Sequence, residues 1–272
     1  MEKLQAALEK ARKNRVSTRA TPGAKTRIER PSKPAKGTAG GIWSELKSIA
    51  LSDQALVQHR IVTREASEEA TPFDIMRTKI LLQMQQNGWT RLAITSPMPK
   101  SGKTTTACNL ALGLGRQNGL NAMLFDLDLR DPSVGRFFEH RPEHAIADML
   151  SGRIPFAEQA LRIGENVAVS MSNRAEPDPT RILLAEKTEE VLDQIQEDYK
   201  PDIMIFDLPS VLVGDNTRAF LKNVDCALII ARANATRYSQ FDTCEREIAE
   251  HTNVLGVVLN AFRHGAAQND FE

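Results

Sequence analysis

The sequence predicts an α/β protein whose core is a doubly wound, mostly parallel sheet, preceded by a disordered basic tether. Three observations predict this fold. Between residues 91 and 260, short apolar runs typical of buried strands alternate with stretches of helical periodicity. One run is joined to a helix by a loop that contains Gly102 and Lys103, and two others end in aspartates. Because ligands bind at the carboxyl ends of parallel strands, we expect a site there.

Composition and charge exclude few functions. The 272 residues can bury a substantial core, and Lys plus Arg and Asp plus Glu both number 35, so net charge indicates no partner. The cysteines lie far apart and outside metal-ligand spacing, which indicates reduced thiols. No apolar run approaches the roughly 20 residues of a membrane span. We therefore expect a cytoplasmic protein that meets the inner face of the plasma membrane only peripherally. The cysteines are Cys108, Cys226 and Cys244.

The first 60 residues are predicted to precede the main domain, residues 61–272. Residues 1–15 have the spacing of an amphipathic helix, which is either a docking element or a frayed end. Residues 16–60 are predicted to be a disordered basic linker, because Pro and Gly are frequent there. Residues 10–36 carry ten Lys or Arg and one acid. Both a solvated linker and a contact with anionic lipid fit this charge.

Two segments before the loop have helical spacing. Residues 42–69 are ambiguous, and four apolar residues there allow a helix: Trp43, Leu46, Ile49 and Leu51. Residues 72–86 are a clearer helix, because Pro72 suits a first turn and Gly88 suits a stop. Its apolar stripe, which we expect to pack on the sheet, consists of Phe73, Met76, Ile80, Leu81 and Met84.

Residues 95–106 have the features of a phosphate-binding loop. They lead from a predicted strand into a helix, whose first N–H groups and dipole favour phosphate. Lys103 would reach the terminal phosphates, and the Thr104 hydroxyl would complete the shell of a magnesium ion. Pro97 stands where the strict pattern has glycine, and an ordinary turn with a surface lysine is the alternative. The flanking strand and helix are predicted at Arg91–Thr95 and Thr104–Arg116.

Carboxylates end two further predicted strands. Asp126 and Asp128 close residues 121–128, and in an extended chain they point the same way, toward the loop if the strands are neighbours. Asp207 closes residues 202–207 and is the expected second magnesium partner, through water. Solvated strand-end acids are the alternative. The remaining predicted elements are strands at Cys226–Ala231 and Val254–Asn260 and a helix at Arg237–Ala249.

With these motifs located, the chain resembles the bacterial tyrosine kinases of capsule and exopolysaccharide synthesis. That family belongs to the wider group of partitioning and septum-positioning ATPases with deviant phosphate loops. The resemblance covers residues 72–260 and implies a P-loop NTPase-like fold. It depends on Thr95–Thr105, on Asp126–Ser133 and on Phe206–Pro209 with Asp215 soon after; weaker similarities lie at Asn173–Leu184 and Val257–Asn260.

The resemblance implies ATP and Mg²⁺ as cofactors. Asp126 would be the base toward a tyrosine hydroxyl or water, and Asn260 would lie near the adenine, with a plain turn residue as the alternative. The implied catalytic residues are Lys103, Asp126 and Asp128. The implied nucleotide-binding residues are Ser101, Gly102, Lys103, Thr104, Thr105 and Asn260. The implied metal-supporting residues are Thr104, Asp128 and Asp207.

Three departures from the family pattern bear on partners. Met98 stands where the partitioning ATPases carry a signature lysine, which argues against nucleic acid. Residues 265–272 contain no tyrosine, so phosphorylation of a tyrosine-rich tail is not expected. The ring-forming helix motif would fall on Thr71, Asp74 and Arg77, and only Arg77 matches it. Ring assembly is therefore in doubt, and a homo-oligomer stays open.

The sequence supports three alternative hypotheses for the function. The leading hypothesis is an ATP-binding, kinase-like regulator of polysaccharide polymerisation or export, which transfers the γ-phosphoryl group of ATP to tyrosine or water. Its expected partner is a membrane-embedded chain-length protein, or co-polymerase. The second is an ATP-dependent switch that phosphorylates no protein and docks on its partner through the N-terminal tether. The third, placed last, is a partitioning ATPase that uses residues 10–36 on DNA phosphates.

Overall fold

The computed structural model describes residues 39–262, whose strands form one eight-stranded sheet. The strands are β1 (Lys47–Ile49), β2 (Arg91–Thr95), β3 (Ala122–Asp126), β4 (Leu161–Ile163), β5 (Val167–Ser170), β6 (Ile203–Asp207), β7 (Cys226–Arg232) and β8 (Asn253–Asn260). The helices are α1 (Ala39–Ser44), α2 (Asp53–Gln58), α3 (Thr71–Asn87), α4 (Lys103–Gly115), α5 (Val134–Phe137), α6 (Ile146–Leu150), α7 (Phe156–Gln159), α8 (Pro179–Leu184), α9 (Glu186–Tyr199), α10 (Asn216–Leu221) and α11 (Tyr238–Ala249).

The sheet is parallel except at one pair. Its strand order is β1-β4-β5-β3-β6-β2-β7-β8, and only β4 and β5 run antiparallel within the described residues. The central strands β3 and β6 consist entirely of buried residues, and one apolar cluster packs on each face of the sheet. Strands buried on both faces are typical of parallel sheets covered by helices. The predicted α/β fold with a mostly parallel sheet is confirmed.

The helix before the loop forms as its sequence predicts. Pro72 lies in the first turn of α3, and Gly88 ends the helix with a φ of 70°, in the left-handed region that glycine adopts without steric cost. Ile80 and Met84 of the predicted stripe are buried in the apolar cluster that also contains α4. The helix therefore docks beside the element that begins at the phosphate loop.

Arg77, the one match to the ring-forming motif, is bound within its own chain. Its side chain is buried, and its Nη1 donates to Asp74 Oδ1 and to the Gly113 carbonyl, both at 2.8 Å. Arg116, which directly follows α4, also pairs with Asp74, at 3.0 Å. Buried charges are stabilised when they are paired and hydrogen-bonded. This network joins α3 to α4 and keeps Arg77 away from the surface.

The predicted linker boundary at residue 60 is wrong. Residues 39–60 contain α1, β1 and α2, and β1 extends the sheet parallel to β4. Three of the large apolar residues in this segment, Trp43, Leu46 and Leu56, are buried in the core. Trp43 is 2% exposed, and its Nε1 donates to the carbonyl of Tyr199 at 2.9 Å. The predictions for residues 1–15, for the linker up to residue 38 and for the last ten residues lie outside the described residues.

The cysteines are core residues. All three are buried free thiols, and burial raises the pKa of Cys226 and of Cys244 to about 12. Thiols of this kind are inert, since the thiolate is the reactive form. Between residues 39 and 262, no helix has both the length and the apolar character needed to cross a bilayer.

Candidate functional site

The predicted phosphate loop connects β2 to α4, at the carboxyl edge of the sheet. Lys100 has a φ of 61° and Gly102 a φ of 91°, so the loop turns through two left-handed residues before the helix starts. A Cβ at Gly102 would lie 2.0 Å from Nδ2 of Asn260. Glycine is therefore required at position 102 both by its backbone conformation and by the close approach of the last strand.

Hydrogen bonds hold the loop from both sides. Ser96 Oγ and Ser101 Oγ donate to the Met98 carbonyl at 2.8 and 2.7 Å. From β8, Asn260 Nδ2 donates to the Ser101 carbonyl at 2.9 Å. The predicted position of Asn260 at the end of the last strand is correct, and the structure places its amide on the loop backbone. The loop is thus fixed by its own chain, an arrangement that preorganises a binding site.

Lys103 begins α4 and points toward the loop that follows β6. Its Nζ lies 3.4 Å from the hydroxyl of Ser210, a buried residue whose Oγ is 3.0 Å from Ser96 Oγ. Ser210 thus connects the lysine to the phosphate loop. Sequence reasoning missed Ser210, although it directly follows the Asp207-Leu208-Pro209 motif; a buried hydroxyl opposite the lysine leaves no signal in a single sequence.

Thr104 and Asp207 meet as predicted. The Thr104 hydroxyl donates to Asp207 Oδ2 at 2.6 Å and lies 3.1 Å from Ser133 Oγ. Burial raises the pKa of Asp207 to about 7, although the Thr104 hydrogen bond and the Lys103 charge lower it. Desolvation therefore outweighs the partners that favour the charged form. Thr105 follows in the first turn of α4 and is partly exposed.

Asp126 is completely buried and adjoins Asp207. The two residues are direct partners in the β3–β6 register. Asp126 Oδ2 accepts from the backbone N–H groups of Ser133 and Val134, both at 2.8 Å. Burial and the Asp207 charge raise the pKa of Asp126 well above its ordinary value. Its predicted role as the base that meets an incoming hydroxyl does not fit this position, because the carboxylate is shielded from solvent.

Two buried carboxylate oxygens have no protein partner. Oδ1 of Asp126 and Oδ1 of Asp207 are inaccessible and accept no hydrogen bond from the described residues. An unsatisfied buried acceptor is costly, and a cation is one group that would satisfy both. Between residues 39 and 262 no three His, Cys, Asp or Glu side chains are grouped to hold a metal by themselves. This set therefore fits Mg²⁺, which binds through one or two carboxylates together with phosphate oxygens and water.

Asp128 is the accessible carboxylate of the predicted set. It follows β3 and is partly exposed. Burial raises its pKa, and the charge of Lys103 opposes that rise, which places the two side chains within electrostatic reach. The structure thus brings together Lys103, Thr104, Asp126, Asp128 and Asp207 at the carboxyl edge of the sheet, with Asp128 toward solvent and the other two aspartates below it.

The chain is similar in sequence to known proteins. Residues 94–226 match the family described as ATPase MipZ. The chain is 24% identical over 196 residues to the putative tyrosine-protein kinase AmsA of Erwinia amylovora, a match that covers 71% of this chain and 27% of AmsA. It is 25% identical over 202 residues to the tyrosine-protein kinase YwqD of Bacillus subtilis (strain 168), covering 73% of this chain and 84% of YwqD.

A solved kinase domain has the same fold. The kinase domain of the Escherichia coli tyrosine kinase ETK superposes with a TM-score of 0.68 at 21% identity, over 74% of this chain and 79% of that domain. The resemblance to bacterial tyrosine kinases is therefore confirmed in sequence and in fold. The chain spans less than a third of the length of AmsA but most of YwqD.

Proposed function

We propose that this chain binds ATP with Mg²⁺ and transfers the γ-phosphoryl group to tyrosine or to water. The observation that carries this proposal is the group at the start of α4. There the Thr104 hydroxyl bonds Asp207 at 2.6 Å, beside Lys103 and two buried carboxylate oxygens without partners. The similarity to proteins named tyrosine-protein kinases supports the same conclusion.

The loop and the start of α4 would hold the phosphates. Four N–H groups at the start of a helix lack partners in the helix, and its dipole favours negative charge there. The loop carbonyls of Met98 and Ser101 already accept hydrogen bonds from the protein. Lys103 would add its charge at the terminal phosphates. We keep Ser101 through Thr105 as nucleotide-binding residues, with Asn260 supporting the loop.

Thr104, Asp207 and Asp126 would support the ion. The Thr104 hydroxyl is a suitable direct oxygen ligand, and Asp207, to which it is bonded, and Asp126 each have one buried carboxylate oxygen without a partner that could add negative charge to the site. Bound Mg²⁺ would neutralise negative charge that develops on the phosphates. Burial and, after it, the Asp207 charge raise the pKa of Asp126, and a bound cation would offset the repulsion between the two carboxylates.

Asp128 is the better candidate to accept the proton from the attacking hydroxyl. It is partly exposed and lies near Lys103, whereas Asp126 is enclosed and bonded to two backbone N–H groups. Phosphoryl transfer otherwise requires positioning and charge stabilisation more than covalent chemistry. Loss of one such preorganised group typically lowers kcat by about 10²–10³-fold. We expect a loss in this range for Lys103→Met.

The proposed biological role is regulation of polysaccharide polymerisation or export together with a membrane-embedded co-polymerase. It rests on the family resemblance, and peripheral contact with the cytoplasmic face of the membrane belongs to the same proposal. The test compares polymer length in strains carrying wild type, Lys103→Met or Lys79→Met, since Lys79 is an exposed lysine on α3 outside the site. A change confined to Lys103→Met is expected; unchanged polymer in that strain would refute the role.

A second candidate is an ATP-dependent switch that phosphorylates no protein. The burial of Tyr199 and the use of Arg77 within the chain favour it, because they remove a candidate acceptor and a candidate subunit contact. Phosphotyrosine analysis after incubation with ATP and Mg²⁺ separates the two candidates. Phosphotyrosine on this chain or on a co-expressed co-polymerase would support the kinase, and ATP turnover without it would support the switch.

A further inference from the structure

Ser133 contacts the nucleotide site through both its backbone and its side chain. It follows the loop after β3 and directly precedes α5. Its backbone N–H donates to Asp126 Oδ2 at 2.8 Å, as does that of Val134. Its side-chain Oγ lies 3.1 Å from Thr104 Oγ1, in the first turn of α4. One partly buried serine therefore contacts both the buried aspartate of β3 and the threonine proposed to bind the ion.

The direction of the hydrogen bond between the two hydroxyls follows from their other partners. A threonine hydroxyl has one hydrogen and two lone pairs. The Thr104 hydrogen is donated to Asp207 Oδ2 at 2.6 Å. Ser133 is therefore the donor in its contact with Thr104, and it occupies one lone pair of Thr104 Oγ1. The other lone pair of the threonine oxygen is left for a cation.

Together the two hydrogen bonds fix the direction of that remaining lone pair. A hydroxyl group with a single partner can still rotate, whereas the Thr104 hydroxyl donates to Asp207 and accepts from Ser133, so it has one orientation. Mg²⁺ requires near-ideal octahedral geometry, so its affinity depends on how its ligand oxygens are oriented. Loss of a group that orients a metal ligand typically lowers metal affinity by about 10–100-fold.

We propose that Ser133 is a positioning residue for Mg²⁺ at the nucleotide site and that it acts through Thr104. This inference rests on the function proposed above and adds a residue that belongs neither to the phosphate loop nor to the strand-end aspartates. The Ser133 hydroxyl orients the Thr104 oxygen. Its backbone N–H, with that of Val134, occupies Oδ2 of Asp126, so that Oδ1 is the carboxylate oxygen without a partner.

Three substitutions separate the hydroxyl of Ser133 from its backbone. Ser133→Ala removes the hydroxyl and leaves the N–H bond to Asp126, and Ser133→Thr restores a hydroxyl. Ser151→Ala is the matched control, because Ser151 is also partly buried and its Oγ donates to the Ala147 carbonyl at 2.7 Å, a bond that involves no site residue. In thermal melts in EDTA, both alanine variants should be folded and should lose similar stability.

The test measures the affinity of each purified full chain for a fluorescent, non-hydrolysable ATP analogue, once in EDTA and once in excess Mg²⁺. The ratio of the two affinities reports the contribution of the ion. We expect Ser133→Ala to lower this ratio by about tenfold or more, with an unchanged affinity in EDTA. Ser133→Thr and Ser151→Ala should keep the wild-type ratio. A merely structural role for Ser133 would lower both affinities together.

The outcomes distinguish this inference from the proposed function. A wild-type ratio in Ser133→Ala, an equal fall of its affinity in EDTA and in Mg²⁺, or a ratio in Ser133→Thr as low as in Ser133→Ala would overturn the role of Ser133 and leave the nucleotide site intact. Wild-type protein that does not bind the analogue, or binds it no more tightly in Mg²⁺, would overturn the proposed function as well.

Discussion

Gly102→Ala tests how tightly the last strand holds the phosphate loop. Gly102 has a φ of 91°, and an alanine in this left-handed region is destabilised by about 1–2 kcal/mol. The new Cβ would lie 2.0 Å from Asn260 Nδ2, so that amide must move and release its bond to the Ser101 carbonyl. Such a hydrogen bond contributes about 0.5–1.5 kcal/mol. Together we expect a loss of about 1.5–3.5 kcal/mol.

Gly88→Ala is the matched control. Gly88 also has a positive φ, of 70°, but its Cβ would meet nothing within 4 Å. Gly88→Ala should therefore lower the free energy of unfolding only by the conformational contribution, about 1–2 kcal/mol. In thermal melts, where 1 kcal/mol corresponds to about 2–4 °C at this size, Gly102→Ala should melt about 3–14 °C below wild type and also below Gly88→Ala.

A double variant isolates the contact. In Gly102→Ala combined with Asn260→Ala, the clashing amide is absent. The loss of stability in the double variant should therefore be smaller than the sum of the losses in the two single variants. A coupling of about 0.5–1.5 kcal/mol is expected, within the range measured for residues in contact. Additive losses, or a Gly102→Ala protein as stable as Gly88→Ala, would refute the proposed clamp between Asn260 and the loop.

Three further predictions follow from buried groups. Trp43→Ala should lower the free energy of unfolding by about 3–5 kcal/mol in denaturant titration, and an unchanged midpoint would contradict a core role for residues 39–60. Because the folded-state pKa of Asp207, about 7, exceeds its ordinary value of 3.8, the folded protein holds this proton more tightly than the unfolded chain. Without divalent ions, the contribution of Asp207 to stability should be largest below about pH 4 and should be lost as pH rises through about 7. Burial raises the pKa of Asp126 as well, so in melts across pH Asp207→Asn should show a smaller fall than wild type over this range, and equal pH profiles would contradict the buried charge. Ser210→Ala should weaken ATP turnover about fivefold in steady-state kinetics by freeing Lys103, Ser210→Thr should retain it, and equal rates in all three proteins would exclude a positioning role.

The sequence was informative where local pattern and fold agree. β2, β3 and β6 are apolar runs ending at loops or acids, and parallel pairing of such strands brings their carboxyl ends to one edge. Asp207 and Thr104 are therefore neighbours although they are far apart in the chain. The glycine at position 102 could also be anticipated, since a phosphate loop requires a left-handed turn before its helix.

The remaining features depend on contacts that no local pattern records. The prediction of a linker up to residue 60 extended the Pro- and Gly-rich composition of the preceding residues too far, and long-range contacts order residues 39–60, among them the bond from Trp43 to Tyr199 and the pairing of β1 with β4. The same is true of two further tertiary contacts. Lys103 contacts Ser210, and the backbone N–H groups of Ser133 and Val134 donate to Asp126. Asp126 and Asp128 look equivalent in the sequence. Only the structure shows that Asp126 is buried and that Asp128 is partly exposed.

The most direct test of the nucleotide site measures phosphate release from ATP by purified wild type, Lys103→Met and Lys79→Met in the presence of Mg²⁺. The site described above predicts measurable release by wild type, a loss of about 10²-fold or more in Lys103→Met, and wild-type release in Lys79→Met. Equal release by Lys103→Met and wild type, or no binding of ATP by the wild-type protein, would contradict it.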